Sequence, residues 1–396
     1  MQKKIIVMAI AAALTTPALA MAEASIYGAV DASYDFVTTG DPVPSSPATK
    51  GTSVQRVSSN QSYLGVKGSE DLGAGLSMVW QVEGTLNFMG SGFSLDRNSY
   101  GGLSSSTLGT LVVGRIDSPY KTSTRNLDVF ANSIADNRSL MGGKGFDAAN
   151  LATLLSASAP TFSQTGTASS IVSFDGRNSQ SLAYISPNWS GFSFQAGLVN
   201  LTANTNKLDT ETKASALSLA GMYNVAPLYV AVAWEQHKID YKTFTDFTET
   251  AMKFGVGYTM DAFSAGLVYE HTSDDLGTWL GASSSNFLGH NSWSVNGKFN
   301  VTPSDAVKAA YTHVGNLGYS TDSSAKEFSL GYDHSMSKST TVYAIYTKLN
   351  NDKNTAYGLF GGGSYNGVSW IGTPYFGGGI VGANPSALSV GVKHSF

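Results

Sequence analysis

The last eleven residues of the chain, 386–396, alternate between two kinds of side chain. One face carries Leu388, Val390, Val392, His394 and Phe396, and the other carries Ser389, Gly391, Lys393 and Ser395. A strict period of two predicts a half-buried β-strand. A strand at the end of a chain leaves an open edge, which invites aggregation unless another strand pairs with it. Pairing the last strand with the first would close the sheet into a barrel.

The first strand, predicted over about residues 24–37, repeats this alternation. Asp31 and Asp35 fall on the face opposite Tyr34 and Phe36. One face therefore suits water and the other suits an apolar surrounding, as in a wall between lipid and an aqueous lumen. Aromatic residues also stand near strand ends, where membrane proteins place interfacial girdles. The girdle candidates are Tyr34, Phe36, Tyr258, Phe263, Tyr269, Phe299 and Phe396.

Tight turns and long polar connections alternate along the rest of the chain. Seven turns are predicted, at 70–73, 105–109, 187–191, 225–227, 260–262, 302–305 and 335–339. Eight long connections are predicted, at 38–57, 88–95, 116–176, 201–213, 242–247, 273–290, 316–324 and 351–385. Together they join sixteen strands, which predicts an all-β, antiparallel transmembrane barrel wide enough for an aqueous lumen. A soluble sandwich is the alternative, but it would not need this regular alternation.

Composition narrows the function further. The 396 residues include no cysteine and only 13% charged residues. A disulfide scaffold, thiol catalysis and cysteine metal sites are thereby excluded. Residues 1–22 resemble a secretory signal peptide cleaved after Ala22, which leaves a barrel domain over residues 23–396. Removing Lys3 and Lys4 from the 24 basic residues leaves 22 against 28 acidic residues, a net charge of −6 that does not suit a nucleic-acid partner.

Three stretches carry a family resemblance: S-I-Y-G-A-V-D at 25–31, S-Y-L-G-V-K-G-S-E-D-L-G-A-G-L at 62–76, and R-N-S-Y-G-G-L at 97–103 followed by G-T-L-V-V-G-R at 109–115. They resemble the trimeric general porins of Gram-negative bacteria, especially the neisserial and beta-proteobacterial type. The resemblance implies a homotrimer in the bacterial outer membrane, in contact with lipid and lipopolysaccharide. It also implies passive passage of small hydrophilic solutes and ions, no cofactor, and a third loop, about residues 116–176, folded into the lumen.

In such porins, acidic groups on the third loop face basic groups on the wall, and the opposed charges focus a field across the opening. The resemblance assigns the wall positions to Arg115 and Arg177, with Arg97 as a further candidate. The loop acids that could face them are Asp117, Asp128, Asp136 and Asp147. The same loop also carries basic side chains, namely Lys121, Arg125, Arg138 and Lys144.

The chain departs from the family pattern at two wall positions. Tyr63 stands where related porins often have arginine, and Ala29 stands where some have lysine. About half of the usual basic row is therefore missing, which argues against strong anion selectivity. The stretch 151–170, rich in Ala, Ser and Thr, is longer than the resemblance leads us to expect, and it is interpreted as an added loop or a lid.

Two alternative functions remain at this point. A substrate-specific channel, for example for sugars or oligosaccharides, would line its path with aromatic rings. An outer-membrane enzyme or adhesin would give no stable ion current, and the enzyme would need a Ser, a His and an acid within hydrogen-bonding reach. The consecutive Asp333, His334 and Ser335 cannot form such a triad because neighbours on a strand point to opposite faces. The glycine-rich stretch 377–382 lacks the strand and helix of a nucleotide site, and Asp274-Asp275 is interpreted as part of a solvated loop rather than as a metal site.

Overall fold

The structure is a computed structural model that describes residues 23–41, 51, 53–90, 92–142, 174–200, 212–241, 246–279, 285–355, 357–359 and 382–396. The predicted signal peptide, Asp147, Lys144 and the stretch 151–170 lie outside the described residues, as does most of the glycine-rich stretch 377–382. Among the described residues, no helix is both long and apolar enough to cross a bilayer.

Sixteen antiparallel strands are present in the described part of the chain, and two of them, β2 and β4, are each interrupted once. Their bounds are β1 Glu23–Thr38, β2 Ser53–Ser59 and Tyr63–Gly73, β3 Leu76–Asn87, β4 Gly92–Ser94 and Ser99–Ser105, β5 Gly109–Asp117, β6 Arg177–Ile185, β7 Phe192–Asn200, β8 Thr212–Val225, β9 Leu228–Tyr241, β10 Phe247–Thr259, β11 Phe263–Asp274, β12 Asn291–Asn300, β13 Asp305–Val314, β14 Ala325–Ser335, β15 Thr340–Asn351 and β16 Ser386–Ser395. The predicted strand number is confirmed.

The barrel closes where β1 pairs with β16, as the terminal alternation predicted. The register places Phe36 opposite Leu388 and Val30 opposite His394. The carboxyl-terminal Phe396 extends the pairing by two backbone hydrogen bonds with Gly28, of 3.0 and 3.1 Å. Its ring lies against the Gly28 backbone, where a Cβ atom would come within 2.7 Å of the ring. No open edge is left at this seam, so the aggregation hazard of a terminal strand is removed.

Most predicted turns lie where the sequence placed them, but the first does not. Residues 70–73 belong to β2, and the chain reverses two residues later, at Ala74 and Gly75. Gly73, Ala74 and Gly75 all adopt positive φ angles, of 85°, 53° and 75°. Glycine reaches this region without steric cost, so the two glycines determine where the hairpin turns.

Each strand buries one face and exposes the other. On β11, Val268 and Glu270 are 1% and 0% exposed, whereas Leu267 and Tyr269 are 42% and 43% exposed. The exposed face is apolar and points away from the lumen, which makes it the surface for lipid. Asp31 and Asp35 lie on the inner face of β1, as predicted. The seven girdle candidates are all on the outer face, with exposures between 42% and 54%.

The connection between β5 and β6, residues 118–176, is the third loop. Its described parts are 118–142 and 174–176. It begins with a short helix, α1 (Pro119–Thr122), whose Ser118 side chain accepts a hydrogen bond from the Lys121 N–H and so caps the helix start. Tyr120, Phe130 and Leu140 are at most 1% exposed although they belong to a loop. This burial is possible only because the loop folds into the barrel, as predicted.

Candidate pore constriction

The third loop is held against one side of the lumen by glycines that leave room for it. Gly255 on β10 lies beneath Leu127, and a Cβ atom there would come within 2.6 Å of the leucine side chain. At Gly266 on β11, a Cβ atom would lie 2.5 Å from the Leu127 carbonyl oxygen. Because neither residue carries a side chain, the loop backbone can approach the wall closely.

Buried hydrogen bonds to wall carboxylates fasten the same loop. The Tyr120 hydroxyl donates to Glu270 Oε2 at 2.8 Å, and the Gly142 N–H donates to Glu270 Oε1 at 2.9 Å. On β14, Glu327 accepts a hydrogen bond from the Ser139 hydroxyl. The loop therefore contacts β11 and β14 through donors that would be costly to leave unpaired in a buried position.

A third set of contacts carries the loop further round the wall. Phe130 packs with Val314 on β13 and with Ile345 and Leu349 on β15 in one buried apolar cluster. At its start, the loop places Pro119 against Gly197 on β7. The described contacts of the loop thus extend from β7 to β15, and the same buried cluster includes Ala387 on β16 and Val37 at the end of β1. The rest of β1 and the wall formed by β2 to β4 face the passage that remains.

Two of the predicted loop acids are occupied within the loop itself. Asp136 is 0% exposed and pairs with Arg125 and with Arg138, whose Nη2 lies 2.9 Å from its Oδ2. Burial alone would raise the pKa of Asp136, but the two guanidinium groups hold it well below its usual range. Asp128 accepts N–H hydrogen bonds from Phe130 and Asn137, of 2.8 and 3.0 Å. These carboxylates shape the loop and leave no unpaired negative charge in the lumen.

The close approach of Asp128 and Asp136 within the loop changes the pKa of Asp128. It is 7% exposed, and burial, followed by the charge of Asp136, raises its pKa to about 6. Arg125 lies 3.6 Å from its carboxylate and partly offsets this effect. Two carboxylates held close together cannot both ionise freely.

The third predicted loop acid, Asp117, stands where the loop leaves the wall. Its carboxylate lies 2.9 Å from Arg177 Nε and 2.7 Å from Lys121 Nζ. Asn98 on the neighbouring wall donates a further hydrogen bond to it at 3.1 Å. Burial lowers the pKa of Lys121 to about 8, although the charge of Asp117 favours the protonated form. Of the predicted residues, the structure brings Asp117 and Arg177 together directly.

Arg97 lies in the interruption of β4 and faces the lumen. Its guanidinium pairs with Glu83 on β3 and donates to Gln61 Oε1 at 3.3 Å. The same group lies 4.7 Å from the ring centroid of Tyr63. Tyr63 therefore occupies its wall position as a platform for an arginine from another strand. Ala29 stands opposite Tyr63 in the sheet register and is 2% exposed, so it also faces inward.

Arg115 is not brought together with these residues. On β5 it follows the outward-facing Leu111 and Val113, which are 49% and 57% exposed, but the pairing with β6 shifts register between Gly114 and Ile116, so this phase does not extend to Asp117. It pairs in register with Ser99, and its Nη1 donates to the Asp96 carbonyl oxygen at 3.4 Å.

The sequence reasoning missed the wall residues that hold the loop. Glu270 and Lys253 lie on the inner faces of β11 and β10 and are nearly inaccessible to solvent, at 0% and 4% exposure. Lys253 Nζ lies 2.7 Å from Asp175 at the end of the third loop and 3.5 Å from Glu270. The sequence did place both residues on the lumen-facing side of their predicted strands, and a charged residue there needs either water or a buried partner.

The consecutive residues Asp333 and His334 point to opposite faces of β14. Asp333 pairs with Lys308 on the inner face at 2.8 Å, whereas His334 contacts Asp305 at 2.7 Å. The two side chains diverge, as neighbours on a strand must.

A sixteen-stranded barrel with an apolar outer face, a charged inner face and an inward-folded third loop is the architecture of an outer-membrane channel. Residues 9–354 match the family described as Gram-negative porin, and the chain belongs to that family. It is an outer-membrane porin, and its barrel encloses a water-filled channel.

Among similar proteins, outer membrane porin protein 32 of Delftia acidovorans is 25% identical over 407 residues, covering 100% of both chains. Major outer membrane protein P.IA of Neisseria meningitidis serogroup C is 32% identical over 140 residues, which cover 32% of this chain and 35% of that protein. The chain therefore aligns with only about a third of the neisserial protein. The solved structure of the anion-selective porin from Comamonas acidovorans superposes with a TM-score of 0.71 at 21% identity, covering 95% of this chain and 100% of that one.

Proposed function

We propose that this porin is a general diffusion channel through which small hydrophilic solutes and ions pass down their gradients. The observation that carries the proposal is the position of the third loop. Apart from the ion pair of Lys121 with Asp117 at its base, the loop makes its described wall contacts on β7 to β15 and within the apolar cluster that includes Val37 and Ala387. Solutes therefore pass between the loop and the inner face of β1 to β4. Sieving by the width of this passage and filtering by its charges are the two physical means of selection. Neither requires a cofactor or a chemical reaction.

The constriction proposed here combines two ion-paired groups. One is Glu83 with Arg97 on the wall, and the other is Asp117 with Arg177 and Lys121 at the base of the loop. Pairs of opposite charge set up local fields that orient water and polar solutes, while they nearly cancel at a distance. Because Glu83 neutralises Arg97 and Asp117 neutralises one of its two basic partners, and because Tyr63 and Ala29 add no charge, one net positive charge remains and we expect weak ion selectivity. Asp128 and Asp136 contribute by shaping the loop.

A homotrimer is proposed from the outer face of β4 and β5. Arg115 and Ser99 are opposite each other there, beside Gly101, where a Cβ atom would meet only the end of Met78 at 3.4 Å. An arginine facing lipid costs about 2–4 kcal/mol at the bilayer midplane and about 0–1 kcal/mol near the interface. Contact with a neighbouring protomer would remove Arg115 and its polar neighbours from lipid. We therefore place the interface between protomers on these strands.

Planar-bilayer recording of the purified protein in a salt gradient tests the proposal. We expect ohmic current steps that close in groups of three, with a zero-current potential near zero. Liposome swelling should show uptake that falls steadily with solute size and not with solute identity. A preparation of folded barrels that gives no ion current would refute the diffusion channel, and single-step closures would refute the trimer.

A further inference from the structure

Three tyrosines line the inner wall on the side that faces the passage. The Tyr27 hydroxyl donates to Glu83 Oε2 at 2.9 Å, and the Tyr100 hydroxyl donates to Gln81 Oε1 at 3.2 Å. Tyr63 lies opposite the inward-facing Ala29. All three rings are partly exposed. Their place on the inner face of β1, β2 and β4, together with this partial exposure, puts their free surfaces beside the passage.

Two of these rings form a column with the cations beside them. Arg97 lies 4.7 Å from the ring centroid of Tyr63. The rings of Tyr63 and Tyr27 are 6.1 Å apart and inclined at 64°, and Lys67 Nζ lies 4.9 Å from the Tyr27 ring. Asn98, next to Arg97, contacts Asp117 at the base of the third loop. The column therefore descends from the constriction towards the turn end of the strands, along the wall that a solute must pass.

The ring of Tyr27 is held in place by its surroundings. Gly65 stands opposite it, and a Cβ atom there would lie 2.5 Å from the ring carbon Cζ. The hydroxyl end of the ring therefore lies against the bare backbone of β2 at Gly65, and the hydroxyl is fixed at the same time by Glu83. An aromatic surface that is already ordered loses little conformational entropy when a solute stacks on it.

The polar groups around the column favour one class of solute. At the upper end of the column Glu83 neutralises Arg97, so a solute there gains little from a net negative charge, and Lys67 adds a single positive charge at the other end. The carboxylate, the guanidinium and the amides of Gln61 and Gln81 together supply closely spaced donors and acceptors. A pyranose ring presents the matching chemistry, because it has an apolar C–H face for stacking and vicinal hydroxyls at its edge. Aromatic rings with a few fixed polar groups are the usual composition of a small-molecule site.

We propose that this column, Arg97 to Lys67, is a weak binding site for neutral carbohydrates that slows their passage below the constriction. The inference rests on the proposed diffusion channel and names a solute class for it. Binding must be weak enough for the solute to leave, with a dissociation constant on the order of millimolar.

Ion-current recording on the trimer with maltohexaose as the probe tests the site. The wild-type channel should show reversible, concentration-dependent blocking events. Tyr63→Ala removes one aromatic ring and Gly65→Ala displaces the Tyr27 ring. Each should weaken the blocking constant by about twofold to twelvefold, since aromatic contacts contribute about 0.5–1.5 kcal/mol each. Tyr27→Phe keeps the ring and loses only the hydroxyl, so it should change the constant by less than about twofold. Tyr346→Ala, on the outer face at 43% exposure, is the matched control.

The ion current without sugar separates the two proposals. If no variant and no wild-type sample conducts, the diffusion channel itself is refuted. If the channels conduct but maltohexaose causes no blocking, or if Tyr63→Ala and Tyr346→Ala change blocking equally, the carbohydrate site is refuted. Blocking by benzoate that depends on Tyr63, with none by maltohexaose, would also overturn it, because the column would then recognise aromatic anions.

Discussion

Breaking the ion pair between Glu83 and Arg97 should change the ion selectivity of the channel in opposite directions, depending on which partner is removed. Glu83→Gln leaves the Arg97 guanidinium unpaired beside the passage, and its amide oxygen can still accept the hydrogen bond from Tyr27. Arg97→Gln leaves the Glu83 carboxylate unpaired. The first variant should favour anions and the second should favour cations.

The expected size follows from the charge and the distance. An ion passing about 5 Å from an unpaired unit charge in water gains or loses about 0.8 kcal/mol. Screening in 0.1 M salt, where the Debye length is about 10 Å, reduces this to about 0.5 kcal/mol. That energy raises the local concentration of one ion about 2.3-fold and lowers that of the other equally. The anion-to-cation permeability ratio should therefore rise about fivefold in Glu83→Gln and fall about fivefold in Arg97→Gln.

Zero-current potentials in a potassium chloride gradient measure this ratio directly. Arg115→Gln is the matched control, because it removes the same charge as Arg97→Gln but from the outer face of β5. Its ratio should equal that of the wild type. If Arg115→Gln shifts selectivity as much as Arg97→Gln does, or if both pair variants shift it by less than about twofold, the charges beside the passage are not those identified here.

Three further results are expected. Gly266→Ala would place a Cβ atom 2.5 Å from the Leu127 carbonyl oxygen, so it should displace the third loop and raise single-channel conductance, whereas Gly297→Ala, whose nearest atom is at 3.4 Å, should not. Equal conductance in both variants would contradict the glycine argument, and the shift of unheated protein on a denaturing gel checks that each barrel is folded. Burial lowers the pKa of Lys121 to about 8, so its side chain is charged at pH 7 and mostly neutral at pH 9. The anion-to-cation permeability ratio should therefore fall between these two pH values, and a fall that persists in Lys121→Met would show that another group is responsible. Mass spectrometry of protein from the outer membrane should find Glu23 as the first residue, and an intact Met1 would refute the predicted cleavage.

Local pattern was sufficient for the architecture. The period of two at residues 386–396 identified a strand and its two faces, and the alternation of tight turns with long loops gave the number of strands. These features can be identified from the sequence because side chains on a strand alternate between its two faces, whatever lies elsewhere in the chain. Closure followed from the same reasoning, since a terminal strand needs a partner and β1 provides it.

The family resemblance supplied candidate residues for the constriction, but pairing between distant residues decided their places. Arg97 reached the lumen because β4 is interrupted around it, and its partner Glu83 comes from β3. Arg115 stayed in phase with the outer face of β5. Asp128 and Asp136 were drawn inward by Arg125 and by backbone donors of their own loop.

The sequence by itself determined that this chain is a sixteen-stranded barrel with one wet and one apolar face. Only the tertiary structure decided which charges border the passage. The reason is that a strand records its two faces in every second residue, whereas an ion pair such as Asp117 with Arg177 joins groups 60 residues apart. They meet because β5 pairs with β6 on either side of the third loop, which places Asp117 opposite Arg177, and no local pattern encodes a pairing across a loop of that length.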